Sequence, residues 1–181
     1  MRVIAGTRRS LPLKAPTGLE TRPTTDRVKE TLFNVLQPYL GDCVFVDLFS
    51  GSGSIGIEAL SRGAKKCYFV EKGKEAITCI NENLTFTKFL DQAVILKQDA
   101  QFAMDSIHEP VDVIFMDPPY NNLLEKTILE NLKKLSILNE DTIIVIEASL
   151  ETEFEYLEDL GYKIFKEKIY KTNKHVFINM N

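Results

Sequence analysis

The stretch Val46-Asp47-Leu48-Phe49-Ser50-Gly51-Ser52-Gly53-Ser54-Ile55-Gly56 decides the fold. It leaves an apolar run, passes through glycines spaced G-x-G-x-x-G and enters a helical pattern, the strand–loop–helix arrangement that lets a backbone approach a ligand at the C-terminal edge of a parallel sheet. Glu71, twenty residues after Gly51, ends the next apolar run, where a carboxylate can take both hydroxyls of a ribose. Dinucleotides and S-adenosylmethionine both carry such a ribose, and Asp47 separates them. A carboxylate just ahead of the glycines suits an ammonium and a sulfonium and repels a pyrophosphate. The predicted cofactor is therefore S-adenosylmethionine, held by Asp47, Phe49, Ser50, Gly51, Gly53 and Glu71. Asp99-Ala100, after the third apolar run, completes the set by offering an acceptor to the adenine amine, and Asp99 can equally cap the next helix.

Outward from this loop, short apolar runs alternate with helical periodicity. The runs are Cys43–Phe49, Cys67–Glu71, Ala93–Lys97, Val111–Asp117 and Thr142–Ala148; the helical stretches are Ile55–Arg62, Lys74–Leu84, Ala100–Ile107 and Leu123–Leu135. Runs without clean polar alternation predict strands buried on both faces, and the alternation predicts a parallel sheet covered by helices. The end of the chain differs. An acidic helix over Glu153–Leu160 precedes runs at Tyr162–Tyr170 and Lys174–Met180, whose short Lys-Thr-Asn connection allows only an antiparallel hairpin. The expected fold is α/β: a mostly parallel seven-stranded sheet with an antiparallel C-terminal hairpin, the layout of Rossmann-like class I S-adenosylmethionine-dependent methyltransferases. One domain is expected over residues 1–181, with 1–24 as an arm carrying three of the seven prolines and little helical pattern beyond a short hairpin. From Thr25, Val28, Leu32, Val35 and Leu36 mark a helix that closes before Pro38.

Charge separates the arm from the body. Residues 1–30 carry seven Lys/Arg against three Asp/Glu, a net of +4, leaving −8 for the remainder of a chain whose total is −4. A basic extension on an acidic body points to an anionic partner, with RNA or DNA first. No apolar run approaches the ~18–20 residues that span a bilayer, and Met1-Arg2-Val3-Ile4 opens no secretion signal, so neither a membrane nor a secreted protein is expected. Cys43, Cys67 and Cys79 match no metal-finger spacing and read as reduced thiols of a cytoplasmic protein. Two histidines leave little material for a metal site, and none is expected.

The second constellation is Asp117-Pro118-Pro119-Tyr120, directly after the strand Val113-Ile114-Phe115-Met116. Two prolines remove two backbone donors and fix φ, which turns the neighbouring carbonyls toward the crevice. An exocyclic base amine is a poor nucleophile because its lone pair is delocalised. Accepting its hydrogens on the Asp117 carboxylate and the Pro118 carbonyl draws the nitrogen toward a tetrahedral form, and Tyr120 can stack on the base. The methylated amine sheds its proton readily, so an ordinary Asp titration is expected to suffice at Asp117.

Together with Gly56-Ile57-Glu58-Ala59-Leu60-Ser61-Arg62-Gly63-Ala64, Phe69-Val70-Glu71 and the block Thr21-Arg22-Pro23-Thr24-Thr25-Asp26-Arg27-Val28-Lys29-Glu30-Thr31-Leu32-Phe33-Asn34, these motifs resemble the RsmD family of bacterial 16S rRNA guanine-N2 methyltransferases over nearly the whole chain. The resemblance implies methylation of a guanine exocyclic amine in 16S rRNA, within the small ribosomal subunit. It assigns the cofactor to Asp47, Gly51, Gly53, Glu71 and Asp99, and the base to Asp117, Pro118, Pro119 and Tyr120. The RNA contacts expected from charge and position are Arg8, Arg9, Arg22, Thr24 and Arg27, with Thr24 or Thr25 capping the first helix. The lysines of the final hairpin, Lys163, Lys166, Lys168, Lys171 and Lys174, serve either as a second contact or as edge charges against aggregation. The rivals are an adenine amino-methyltransferase acting on DNA or RNA, a non-catalytic RNA-binding assembly factor, and a nucleotide-dependent oxidoreductase. The short lead before the first core strand leaves no room for a separate DNA-recognition domain, both residue sets are retained, and Asp47 disfavours a pyrophosphate.

Overall fold

A computed structural model describes residues 1–16, 25–120 and 123–181. Five strands, β1 (Val44–Leu48), β2 (Lys66–Val70), β3 (Ala93–Leu96), β4 (Val113–Met116) and β5 (Ile143–Ser149), run parallel, and β6 (Tyr162–Ile169) and β7 (Asn173–Met180) close the sheet as an antiparallel pair. The order is β3-β2-β1-β4-β5-β7-β6. Each expected strand forms: β1, β2, β4 and β5 are buried almost throughout, which a sheet flanked by two helical layers satisfies, while β3 is half-buried and β6 largely exposed at the two edges.

Helices α1 (Asp26–Leu36), α2 (Ser54–Ser61) and α3 (Lys74–Thr87) cover one face, where Leu32, Phe33, Ile57, Ile80 and Leu84 meet Phe45, Phe69, Phe115, Val145 and Phe177 of the strands. The opposite face is covered by α4 (Ala100–Ala103), α5 (Leu124–Leu132) and α6 (Tyr156–Asp159), whose Ala103, Ile128, Leu132 and Leu157 pack on Val46, Leu48, Ile114, Met116 and Ile146. Two expectations contract. The helix expected over Ala100–Ile107 is one α turn followed by a 3-10 turn at Met104–Ser106, and the acidic helix expected over Glu153–Leu160 is only α6, a single turn anchored by buried Leu157. Polar acidic sequence supplies too little apolar surface to hold a longer helix here. Thr25 is the residue that caps α1, its Oγ1 accepting from the Val28 N–H at 3.4 Å.

The described part of the arm, residues 1–16, docks on the body. Residues 1–13 double back through an Arg2–Pro12 bridge, and Val3 and Leu13 are buried in the α1–α3 core. The fully buried Glu58 of α2 fastens this hairpin: its carboxylate accepts from the Ile4 and Ala5 N–H groups at 2.7 and 2.9 Å and from Arg62 Nε at 2.8 Å. Buried Lys29 of α1 stands 3.6 Å from the same carboxylate and donates to the Arg2 carbonyl at 2.6 Å. Gly6, at φ +82°, lies so close to the end of α2 that a Cβ there would fall 1.8 Å from the Ser61 carbonyl oxygen. Only glycine fits.

Among the described residues, no helix is long and apolar enough to cross a membrane. Cys43, Cys67 and Cys79 are all buried free thiols.

Candidate active site

The sheet order reverses between β1 and β4, so the loops leaving those two strands diverge to opposite faces and leave a crevice between them. Both sequence motifs lie at this point. From β1, Phe49 takes a left-handed conformation (φ 64°), followed by Gly51 and Gly53 at φ 54° and 77°, and α2 starts immediately after. Asp47 is buried, and its Oδ2 accepts from the Gly56 N–H at 3.0 Å, tying the strand to the helix. Gly56 permits this close approach, since a Cβ would stand 2.4 Å from the Phe69 ring. The Ser50 hydroxyl donates to the Asp47 carbonyl at 2.6 Å, and the Ser50 N–H donates to the Val70 carbonyl at 2.9 Å.

Glu71 joins the two loops at the end of β2. Its Oε2 accepts from the Gly51 N–H at 3.0 Å and its Oε1 from the N–H groups of Lys72 and Gly73 at 2.9 and 2.8 Å. Asp99 caps α4 through the Gln101 N–H at 3.1 Å, while its other oxygen pairs with Lys72 Nζ at 2.8 Å, an ion pair that holds its carboxyl below the usual range. Ala100 is buried beside it.

At the end of β4, Asp117 is largely covered, Pro118 is buried, and Pro119 and Tyr120 are exposed. Asp117 is further from an ordinary Asp than the chemistry requires. Burial first, and then the Glu147 and Asp47 carboxylates, push the Asp117 carboxyl up to about 8. Asp47 itself is pushed up to about 7 by burial and by Glu71, against the opposing Gly56 hydrogen bond. The Tyr120 hydroxyl is raised as well, by burial and then by Glu147 and Asp117. The crevice thus gathers carboxylates, and among the described residues no cation neutralises Asp47 or Asp117, an arrangement that disfavours anions and suits a cationic ligand.

A cleft of about 920 Å³ joins Asp117, Pro118 and Tyr120 to Thr25, Arg27, Val28 and Thr31 of the α1 region and to Lys168–Asn173 of the final hairpin. Arg27 therefore borders the same cleft as Asp117 and Tyr120, and Arg9 is exposed on the arm. Arg8 is held otherwise: its guanidinium lies 5.1 Å over the Phe89 ring and its Nε donates to the Thr87 carbonyl at 2.7 Å, fastening the arm to the end of α3. Arg22 and Thr24 lie outside the described residues. Lys163 and Lys166 are exposed on β6, the outer edge of the sheet, whereas Lys168 and Lys171 turn toward the cleft.

Sequence reasoning missed Glu147, which lines this cleft and an adjoining one of about 340 Å³ shared with Pro118 and Tyr120. It also missed the residues around it, Tyr170, Asn173 and His175. A Glu within the apolar run Ile143–Ala148 was the available signal.

With this geometry in place, comparison with known proteins is decisive. The family model described as conserved hypothetical protein 95 matches residues 1–179. The chain belongs to this family, the RsmD family. Ribosomal RNA small subunit methyltransferase D of Haemophilus influenzae is 38% identical over 93% of this chain and 88% of its own. The Bacillus subtilis protein YlbH is 40% identical over 84% of this chain and 85% of its own. Among solved structures, the Escherichia coli protein yhhF superposes with a TM-score of 0.89 at 30% identity, covering 100% of this chain and 98% of that one. The Escherichia coli structure covers the whole of this chain, C-terminal hairpin included. Among the described residues there is no cluster of three or more His, Cys, Asp or Glu that could hold a metal.

Proposed function

We propose that this RsmD-family chain methylates the exocyclic N2 amine of a guanine in 16S rRNA, using S-adenosylmethionine. The observation that carries the reading is the meeting of Asp117-Pro118-Pro119-Tyr120 with the Asp47–Gly53 loop at one crevice, opening into a cleft bordered by Arg27. The residues fit the cofactor. Among the described residues buried Asp47 has no cationic partner, and a Cβ at Gly51 would meet nothing within 4 Å, so the loop leaves open space at Gly51, whose N–H is held by Glu71. Asp47 would face the charged amino acid end, Phe49, Ser50, Gly51 and Gly53 would line it, Glu71 would take the ribose, and Asp99 with Ala100 would border the adenine. When bound, S-adenosylmethionine supplies an electrophilic methyl group.

The chain's own residues do the rest. Asp117 and the Pro118 carbonyl accept the two amine hydrogens and aim the nitrogen lone pair, and Tyr120 stacks on the base. As the nitrogen gains a methyl it releases one proton, and the Asp117 carboxylate is placed to receive it. Arg9, Arg22, Thr24 and Arg27 are the proposed RNA contacts, and the small ribosomal subunit in the cytoplasm is the proposed setting. The names of the relatives support ribosomal RNA as the substrate class. Mass mapping of modified nucleosides in 16S rRNA, from cells with and without the gene, tests the reading. Loss of one N2-methylguanosine on deletion is expected, and an unchanged nucleoside profile would refute it.

A further inference from the structure

Glu147 is a buried carboxylate that borders the cleft beside Asp117. Strand register explains where it lies. Met116 pairs with Ile146 across β4 and β5, so the next residues along, Asp117 and Glu147, are neighbours on one face, and Glu147 in turn pairs with His175 across β5 and β7. Asn173 Nδ2 donates to Glu147 Oε1 at 2.5 Å, and His175 Nε2 stands 3.1 Å from Oε2. The Tyr170 hydroxyl lies 3.1 Å from His175 Nδ1. With that hydroxyl donating to Nδ1, the Nε2–H points at Glu147. Among the described residues, His175 is the only ionisable base within ion-pairing distance of the Glu147 carboxylate.

This frame gives each oxygen one hydrogen bond and holds the side chain in one orientation, with the Tyr120 hydroxyl close enough to share one of the remaining lone pairs. Glu147 is only 8% exposed, yet it lines both clefts that meet at Pro118 and Tyr120. Its proximity also disfavours ionisation of Asp117, a cost to the fold of the kind that functional sites carry.

We infer that Glu147 reads the N1–H of the acceptor guanine, alongside Asp117 at the N2 amine, and so is the residue that selects guanine. This inference rests on the proposed guanine-N2 activity. Guanine presents two adjacent donors, N1–H and N2–H, which complement two adjacent acceptors. A base whose N1 is a bare lone pair would face a buried carboxylate with nothing to donate, and sites built around such a hydrogen bond reject analogues lacking it strongly.

The test uses 2-aminopurine, which keeps the 2-amine but has an unprotonated N1. The guanine methylated by the wild-type protein is first mapped. Small ribosomal subunits are then rebuilt on 16S rRNA ligated around a synthetic segment bearing guanine or 2-aminopurine at that position, and methyl incorporation is measured for wild type and E147Q. Wild type should prefer guanine by about 100-fold or more. E147Q, whose amide can donate to N1, should lose at least about tenfold on guanine and bring the ratio within about tenfold, with S-adenosylmethionine affinity unchanged. Comparable wild-type rates on the two bases would overturn the inference, as would an unchanged ratio in E147Q. The wild-type comparison decides alone if E147Q does not fold. Absence of any N2-methylguanosine with wild type would remove the proposed function itself, and this inference with it.

Discussion

Replacing Asp117 by Asn should make the protein more stable at neutral pH while abolishing methyl transfer. Burial and the neighbouring carboxylates raise the Asp117 carboxyl from 3.8 to about 8 in the folded protein. In the unfolded chain the group ionises near its ordinary value, so between about pH 4 and pH 8 the folded state holds a proton that the unfolded state has released. Stability from this group is therefore complete below pH 4 and is lost as pH rises through 8, at up to about 1.4 kcal/mol per pH unit. At pH 7 the ceiling is about 4 kcal/mol, and relaxation around the Asp117–Glu147 pair brings the expected gain for Asp117→Asn to roughly 2–4 kcal/mol. Near pH 4 the carboxylic acid and the amide are both neutral, and the two proteins should be nearly equal. Asp47, displaced in the same direction, is common to both and largely cancels in the difference. Urea unfolding of both proteins at intervals from pH 4 to pH 8 measures this directly. A difference that stays flat across that range, or a mutant that is less stable at pH 7, would refute the electrostatic reasoning.

Three further outcomes follow from the same structure. S-adenosylmethionine should bind more tightly as pH rises from 6 to 8 and should release protons below pH 7, because a cation favours the ionised forms of Asp47 and Asp117; calorimetry in buffers of different ionisation enthalpy reads this as a buffer-dependent heat. Glu58→Ala should cost roughly 3–5 kcal/mol in urea unfolding, since it leaves buried Lys29 and Arg62 and the Ile4 and Ala5 N–H groups without their shared acceptor. Arg27→Ala should lower RNA affinity and reduce the log-log salt slope by roughly 0.7–0.9 if it grips a phosphate; a loss of turnover with an unchanged slope would assign it to the base pocket instead, as measured by binding at several salt concentrations.

Much of this protein is legible locally. The apolar runs that become β1, β2, β4 and β5 are buried almost throughout and that of β3 is half-buried at the sheet edge, so their composition predicts a covered parallel sheet, and the three-residue link before Lys174 permits only a hairpin. The glycine loop and Asp117-Pro118-Pro119-Tyr120 are likewise readable because their chemistry is carried by neighbours in sequence. Tertiary structure alone decided what depends on strand order and packing. Glu147 reads as one more strand residue until β4, β5 and β7 are aligned and set it beside Asp117 and His175, some 30 residues away in sequence on either side. The same crowding of carboxylates moves Asp117 far from an ordinary aspartate, an effect of burial that composition does not carry. The arm shows the limit in the other direction. Its arginines mark it as basic, but whether a guanidinium meets solvent or, like Arg8, lies on Phe89 depends on where Glu58 and Ser61 anchor the first residues, since side chains distant in sequence compete for the same charge only after the chain has folded.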